Sequence, residues 1–213
     1  MKGNPPTDRA APLKCAHCDR TMSTPLVCDY CHAVQPAAVS ADHFALLGIP
    51  RRFDVDPDEL RRRYVTLNRH AHPDYHTAEQ PEVQQLHLQV SANLNDAYRT
   101  LRDPAARASY LLGLLGGKSS AEDKSVPDGF LGTMMMLQEE VADAQAAGDD
   151  GELERIGKLL RTQRDGLMNR IRTLFADLDE GVACEAVRND LLAEIRQQLN
   201  AVSYVRKLLS QLP

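Results

Sequence analysis

Two places in this chain carry residue types and spacings that could do chemistry. The first is a pair of knuckles, Cys15-Ala16-His17-Cys18 and Cys28-Asp29-Tyr30-Cys31, with nine residues between Cys18 and Cys28. Four thiolates so spaced can close a tetrahedron on zinc and leave no position for water, which makes the expected ion structural. A redox pair is the competing use of Cys-x-x-Cys, but no βαβ pattern surrounds either pair. The second place is His72-Pro73-Asp74, an imidazole and a carboxylate on either side of a fixed turn. His70, His72, Asp74 and His76 form an alternating run of possible zinc or iron ligands, which would suit a metallohydrolase. Against that use, Tyr75 separates Asp74 from His76, a helical pattern rather than a strand precedes the run, and His87 is the last histidine.

The elements that must position the tripeptide are helices. Asp56 can cap, Pro57 suits a first helical position, and Glu59 falls three residues after the cap. Leu60, Tyr64 and Leu67 mark one apolar stripe, while Arg61, Arg62, Arg63 and Arg69 fall largely outside it. Pro73 ends this helix, because it disfavours helical backbone at His72 and donates no hydrogen bond. Val83, Leu86, Val90, Leu94, Ala97 and Leu101 then predict a long amphipathic helix. Two antiparallel helices with a polar tip present that tip to something else. A short helix before them (Asp42 to Gly48) and another after Asp103-Pro104 complete a four-helix domain over residues 40–113.

The chain of 213 residues has room for two compact domains and a small appendage. Aromatics are 5%, Trp is absent, and alternating β-branched residues are hard to find, so the expected class is all-α. A net charge of -5 argues against bulk nucleic-acid binding, although the arginine cluster is locally positive. No apolar run is long enough to span a bilayer, and only fourteen residues precede Cys15, short for an organelle presequence. The expected location is the cytoplasm of a bacterium, with the mitochondrial matrix as the alternative for a processed chain. Paired cysteines in a reducing compartment favour metal over disulfides. The cysteine module, residues 11–36, is too short to bury much apolar surface, so metal should supply most of its folding free energy, about 10 kcal/mol or more.

Residues 114–126 have the polar composition of a flexible linker. Helical runs follow at about 127–147, 150–177 and 180–211, giving an antiparallel three-helix bundle over residues 127–213. Its expected core positions are Leu153, Ile156, Leu160, Leu167, Ile171 and Leu174 on the second helix. On the third they are Val187, Leu191, Ile195, Val202, Val205 and Leu209. Phe130, Leu131, Met134, Met135, Met136 and Leu137 are too many apolar residues for one buried face, so some should reach the surface, where Met suits partner recognition. Cys184 is expected to be a small packed residue on a helix.

His72-Pro73-Asp74 between a basic helix and a long one resembles the J domain of DnaJ-type co-chaperones. Asp42-His43-Phe44-Ala45-Leu46-Leu47-Gly48, Leu94-Asn95-Asp96-Ala97-Tyr98-Arg99-Thr100-Leu101 and Arg107-Ala108-Ser109-Tyr110-Leu111-Leu112 narrow the likeness. They are similar to the HscB (Jac) family of iron–sulfur cluster assembly, some of whose members carry a four-cysteine zinc module. The resemblance implies an L-shaped molecule that is no enzyme itself. It implies that His72, Pro73 and Asp74, with Arg61, Arg62, Arg63 and Arg69, engage a DnaK/HscA-type chaperone and trigger its ATP hydrolysis. It also implies that Leu131, Met135 and Tyr204, rimmed by Glu139, bind an IscU-type scaffold, with self-association weak if present. The alternative is a J-domain co-chaperone for a different client. His76 and Gly132 depart from the family pattern, the first where an apolar residue is frequent and the second where a larger one is usual.

Overall fold

The structure, a computed structural model, describes residues 14–72, 80–181 and 184–212. Its helices are α1 (His43–Leu47), α2 (Pro57–Ala71), α3 (Pro81–Arg102), α4 (Pro104–Leu114), α5 (Phe130–Ala147), α6 (Asp150–Asp179) and α7 (Glu185–Leu209). A short 3-10 turn, Pro36–Val39, precedes them. Among the described residues there is no strand, only isolated bridges between Lys14 and Thr21 and between Val27 and Val34. The all-helical class expected from composition is therefore the class observed. The chain divides into two compact units, with the boundary inside α4 between Arg107 and Ala108.

Aspartates start α1, α2 and α4, whereas α3 begins after Gln80 with Pro81 at its first position and no side-chain cap. Asp42 accepts from the Phe44 and Ala45 amides, Asp56 from Asp58, and Asp103 from Ala105 and Ala106. Glu59 does not spend its carboxylate on a capping box; it accepts from Arg63 Nε at 2.9 Å. α1, α2 and α3 pack on one another. Phe44, Leu46, Leu47, Leu60, Val90, Leu94, Ala97 and Leu101 are buried, so the apolar faces read from the sequence turn inward, though Val83 stays partly exposed. Buried Arg107 donates to the Phe53 carbonyl at 2.8 Å and the Leu101 carbonyl at 2.5 Å, fixing the start of α4.

Gly48 closes α1 with φ of 66°, a left-handed conformation open to glycine at little cost. A Cβ there would stand 2.7 Å from Thr24 Cγ2 and 2.9 Å from Arg63 Nη1. Gly48→Ala is therefore expected to destabilise the first unit by more than the roughly 1–2 kcal/mol of the backbone strain alone. Thermal unfolding followed by circular dichroism checks this, and an unchanged midpoint would contradict it.

The second unit is the three-helix bundle of α5, α6 and α7, packed around Phe130, Met134, Leu137, Val141, Leu153, Ile156, Leu160, Val205 and Leu208. Two expectations change. The segment read as a flexible linker is strapped to α7. Arg188 donates to the Leu115 carbonyl, Arg196 to the Lys118 carbonyl, and Asn200 to those of Asp123 and Ser125. Arg196 and Asn200 are buried, and the strap's carbonyls satisfy donors that would otherwise be costly to enclose. The inward stripe of α7 keeps Ile195, Val202 and Val205 of the expected set and departs from it elsewhere. Leu192, Ile195, Leu199, Val202, Val205 and Leu208 are buried, whereas Val187 is exposed.

Candidate functional site

The helical hairpin formed by α2 and α3 leads to His72, the C-cap of α2, whose backbone N–H donates to the Asn68 carbonyl at 3.0 Å. Pro73, Asp74 and His76 lie outside the described residues. The end of α2 is held from α3, where the Nδ1 of buried His87 is 3.4 Å from the Ala71 carbonyl. A second brace sits farther down the hairpin. Tyr64 stacks on Tyr98 with centroids 4.1 Å apart, and its hydroxyl donates to Asn95 Oδ1 at 2.7 Å. Sequence reasoning missed these positioning residues. Asn95 and Tyr98, three apart on α3, were the available sign of a polar face turned to α2.

The four arginines do not act alike. Arg61 and Arg69 are exposed and stand four residues either side of exposed Val65, one stripe that runs toward His72. Arg62 is exposed on the neighbouring face. Arg63 is half-buried and tied inward, with Nη1 donating to the Gly48 carbonyl at 2.6 Å and the guanidinium paired with Glu59 at 2.8 Å. His70 of the histidine run stacks on His32, with centroids 4.7 Å apart and 4° between planes.

The cysteines converge. Their Sγ atoms lie within 4.8 Å of one another, with Cys15 and Cys31 at 3.5 Å and Cys18 and Cys28 at 3.6 Å. Zn–S bonds of about 2.3 Å in a tetrahedron require sulfurs just under about 4 Å apart, so the four residues fit such an ion. The two knuckles repeat one geometry thirteen residues apart. Cys15 N–H donates to the Arg20 carbonyl and Cys28 N–H to that of Ala33, while Asp19 and His32 donate back to the carbonyls of Cys15 and Cys28. Asp19 (φ 57°) and His32 (φ 59°) both adopt the left-handed conformation that turns each knuckle. Backbone amides of His17 and Cys18 and the side-chain amide of Gln35 donate to Cys15 Sγ, and the Tyr30 amide donates to Cys28 Sγ.

These donors stabilise thiolate. Burial pushes the Cys15 thiol up, but the Cys18 and His17 amides and the neighbouring thiols outweigh it and bring its pKa down to about 6. Cys28 is lowered as well, led by its hydrogen bond with the Cys31 backbone. Cys18 is pushed up to about 12. The Arg20 backbone draws it down, yet burial and the sulfurs of Cys28 and Cys15 prevail, as expected where one thiol keeps a proton beside a thiolate. A cation is the natural way to hold all four as thiolates. Cys184 is not packed; it is exposed at the N-cap of α7.

On the bundle, Leu131, Met135 and Glu139 recur every four residues along α5, and all three are exposed. Met136 (64% exposed) and Tyr204 (46%) add to the apolar surface of the unit, large areas for side chains of this kind. Tyr204 meets buried Phe130 edge to face, centroids 6.2 Å apart, so the ring is anchored in the core while part of it stays accessible. Nothing lies within 4 Å of a Cβ placed on Gly132, so this glycine is not required by packing.

A DnaJ domain family model matches residues 42–110, and a model of the HSCB C-terminal oligomerisation domain matches residues 126–212. The co-chaperone protein HscB homolog of Ralstonia nicotianae is 36% identical over 162 residues, which cover 74% of this chain and 90% of that protein. Among solved structures, the human co-chaperone HscB covers 93% of this chain and 96% of its own, with a TM-score of 0.73 and 23% identity, a likeness of fold. The chaperone HscB from Vibrio cholerae covers 80% of this chain and 94% of its own, with a TM-score of 0.65 and 26% identity. With its hairpin, its bundle and these likenesses together, the chain belongs to the HscB family of J-domain co-chaperones that serve iron–sulfur cluster assembly.

Proposed function

We propose that this chain stimulates ATP hydrolysis by a DnaK/HscA-type chaperone and delivers to it an IscU-type iron–sulfur scaffold. The observation that carries this is the presence, on one chain, of matches to a J domain and to the HscB C-terminal domain. Docking runs along the Arg61, Val65 and Arg69 stripe to His72, Pro73 and Asp74. Arg62 borders that stripe, and Arg63 contributes mainly by holding α2 against Gly48. Charge on this face steers association, so raised salt should slow it. Phosphoryl transfer depends on positioning, so a docked tip that rearranges the partner's own catalytic groups changes the rate without reacting itself. The scaffold binds at Leu131, Met135 and Tyr204, with Glu139 at the rim. Holding both partners on one chain raises their effective concentration.

The ion is zinc, in a structural role. Four soft thiolates in a closed tetrahedral set favour it, and no ligand position remains for substrate. The protein works in the bacterial cytoplasm. The relatives it matches include those of Ralstonia and Burkholderia, and no described helix is long and apolar enough to cross a membrane.

Scaffold binding tests the proposal. Leu131→Ala combined with Tyr204→Ala should weaken binding to an IscU-type scaffold at least about tenfold, or about 1.4 kcal/mol, while scaffold-free ATPase stimulation is retained. Equal loss of both would contradict separate sites. If the unaltered chain fails to bind the scaffold at tens of micromolar, the client is a different one.

A further inference from the structure

The cysteine module is a wall of the J-domain hairpin. The turn between its knuckles is buried at Thr24, Pro25 and Leu26. Thr24 packs its methyl against Gly48, where α1 ends and Arg63 is anchored. His32 lays its ring on His70 of α2. Beyond the second knuckle, the 3-10 turn Pro36–Val39 packs on α3, and Asn93 donates to the Val39 carbonyl at 3.2 Å. Between module and α2 lies a cleft of about 370 Å³, with Asp29 and His32 on one side and Arg62, Thr66 and His70 on the other.

Each contact is tied to the sulfurs. His32 follows Cys31 directly and holds φ of 59°, a left-handed conformation uncommon outside glycine. It belongs to the knuckle, with His32 N–H donating to the Cys28 carbonyl. Thr24 sits in the connection whose two ends are Cys18 and Cys28. Gln35, one residue before the 3-10 turn, donates to Cys15 Sγ and accepts from the Ala16 amide at 2.8 Å. So small a module has little else to keep it in shape. The geometry that aims His32 and Thr24 at the hairpin is that of the knuckles.

We propose that the four-cysteine module is an ion-dependent brace for α2, so that occupancy of the cysteine cluster sets the rigidity of the helix that presents His72. The proposal rests on the J-domain reading only for its consequence, regulation of chaperone stimulation by metal supply; the brace itself is a property of this chain. Loaded and chelator-stripped full-length protein should be compared by hydrogen–deuterium exchange, with metal content measured in both. Stripping should speed exchange of amides 60–71 at least about tenfold, while amides 156–174 of α6 keep their rates, because local opening is read unit by unit. His32→Ala, which retains all four cysteines and one equivalent of zinc, should speed exchange at the carboxy-terminal turn of α2 about two- to threefold. Unchanged α2 exchange in both samples would overturn the proposal. ATPase stimulation by the loaded protein is read separately: if it is absent while α2 exchange responds to metal, the J-domain reading fails and the brace stands.

Discussion

His72→Gln is expected to remove the chain's ability to accelerate ATP hydrolysis by an HscA-like chaperone while leaving its fold intact. The residue caps α2 through its backbone, with its amide bonded to the Asn68 carbonyl, and glutamine keeps that bond. The hairpin is held by His87 on Ala71, by the Tyr64–Tyr98 stack and by Tyr64 on Asn95, none of which uses the His72 side chain. Unfolding should therefore shift little. Stimulation should fall to the partner's basal rate, at least about tenfold, equal to about 1.4 kcal/mol of transition-state free energy. A large effect from one short tripeptide is reasonable if the reacting groups belong to the partner and need only be repositioned. Steady-state turnover beside thermal unfolding of the same sample checks it; unchanged stimulation would remove the mechanism.

Cys15→Ser with Cys28→Ser should have the largest effect on structure. It takes one thiolate from each knuckle and so opens both halves of the tetrahedron. Metal binding to such modules is worth about 10 kcal/mol or more, far above what a segment of this size gains from apolar burial. The variant should lose the metal bound at the cysteine cluster, and exchange protection should vanish over residues 14–35. Metal counting decides a second matter. Stoichiometric metal retained by the variant would direct attention to His70, His72, Asp74 and His76 as ligands and revive the hydrolase alternative.

The helices were legible because their signals are local. Asp56-Pro57 marks the start of α2, and Val90, Leu94, Ala97 and Leu101 lie on the buried side of α3 as their spacing requires. The cysteine cluster was legible for the same reason, since Cys-x-x-Cys encodes its own turn. What escaped is tertiary. Arg63 looks like its neighbours in a row of arginines, and only the fold brings the Gly48 carbonyl within 2.6 Å of it. On α7 the apolar period is interrupted by Arg196 and Asn200, which turn inward to bind the 118–125 strap. The inward stripe therefore passes through Leu192 and Leu199 instead of Val187 and Leu191. The strap itself reads as linker because its partners are on a helix some 75 residues away. Gly, Ser and Lys there carry no sign of the side chains that bind their carbonyls.

The central claim is that one end of this chain acts on a partner's nucleotide site while the other holds that partner's client. ATP turnover by an HscA-like chaperone, measured with the chain alone, with an IscU-type scaffold alone, and with both together, tests it most directly. Stimulation by the pair well beyond the product of the two separate effects is the predicted result, and Leu131→Ala with Tyr204→Ala should abolish only that surplus. Turnover unmoved by the chain, or moved equally with and without scaffold, would contradict it.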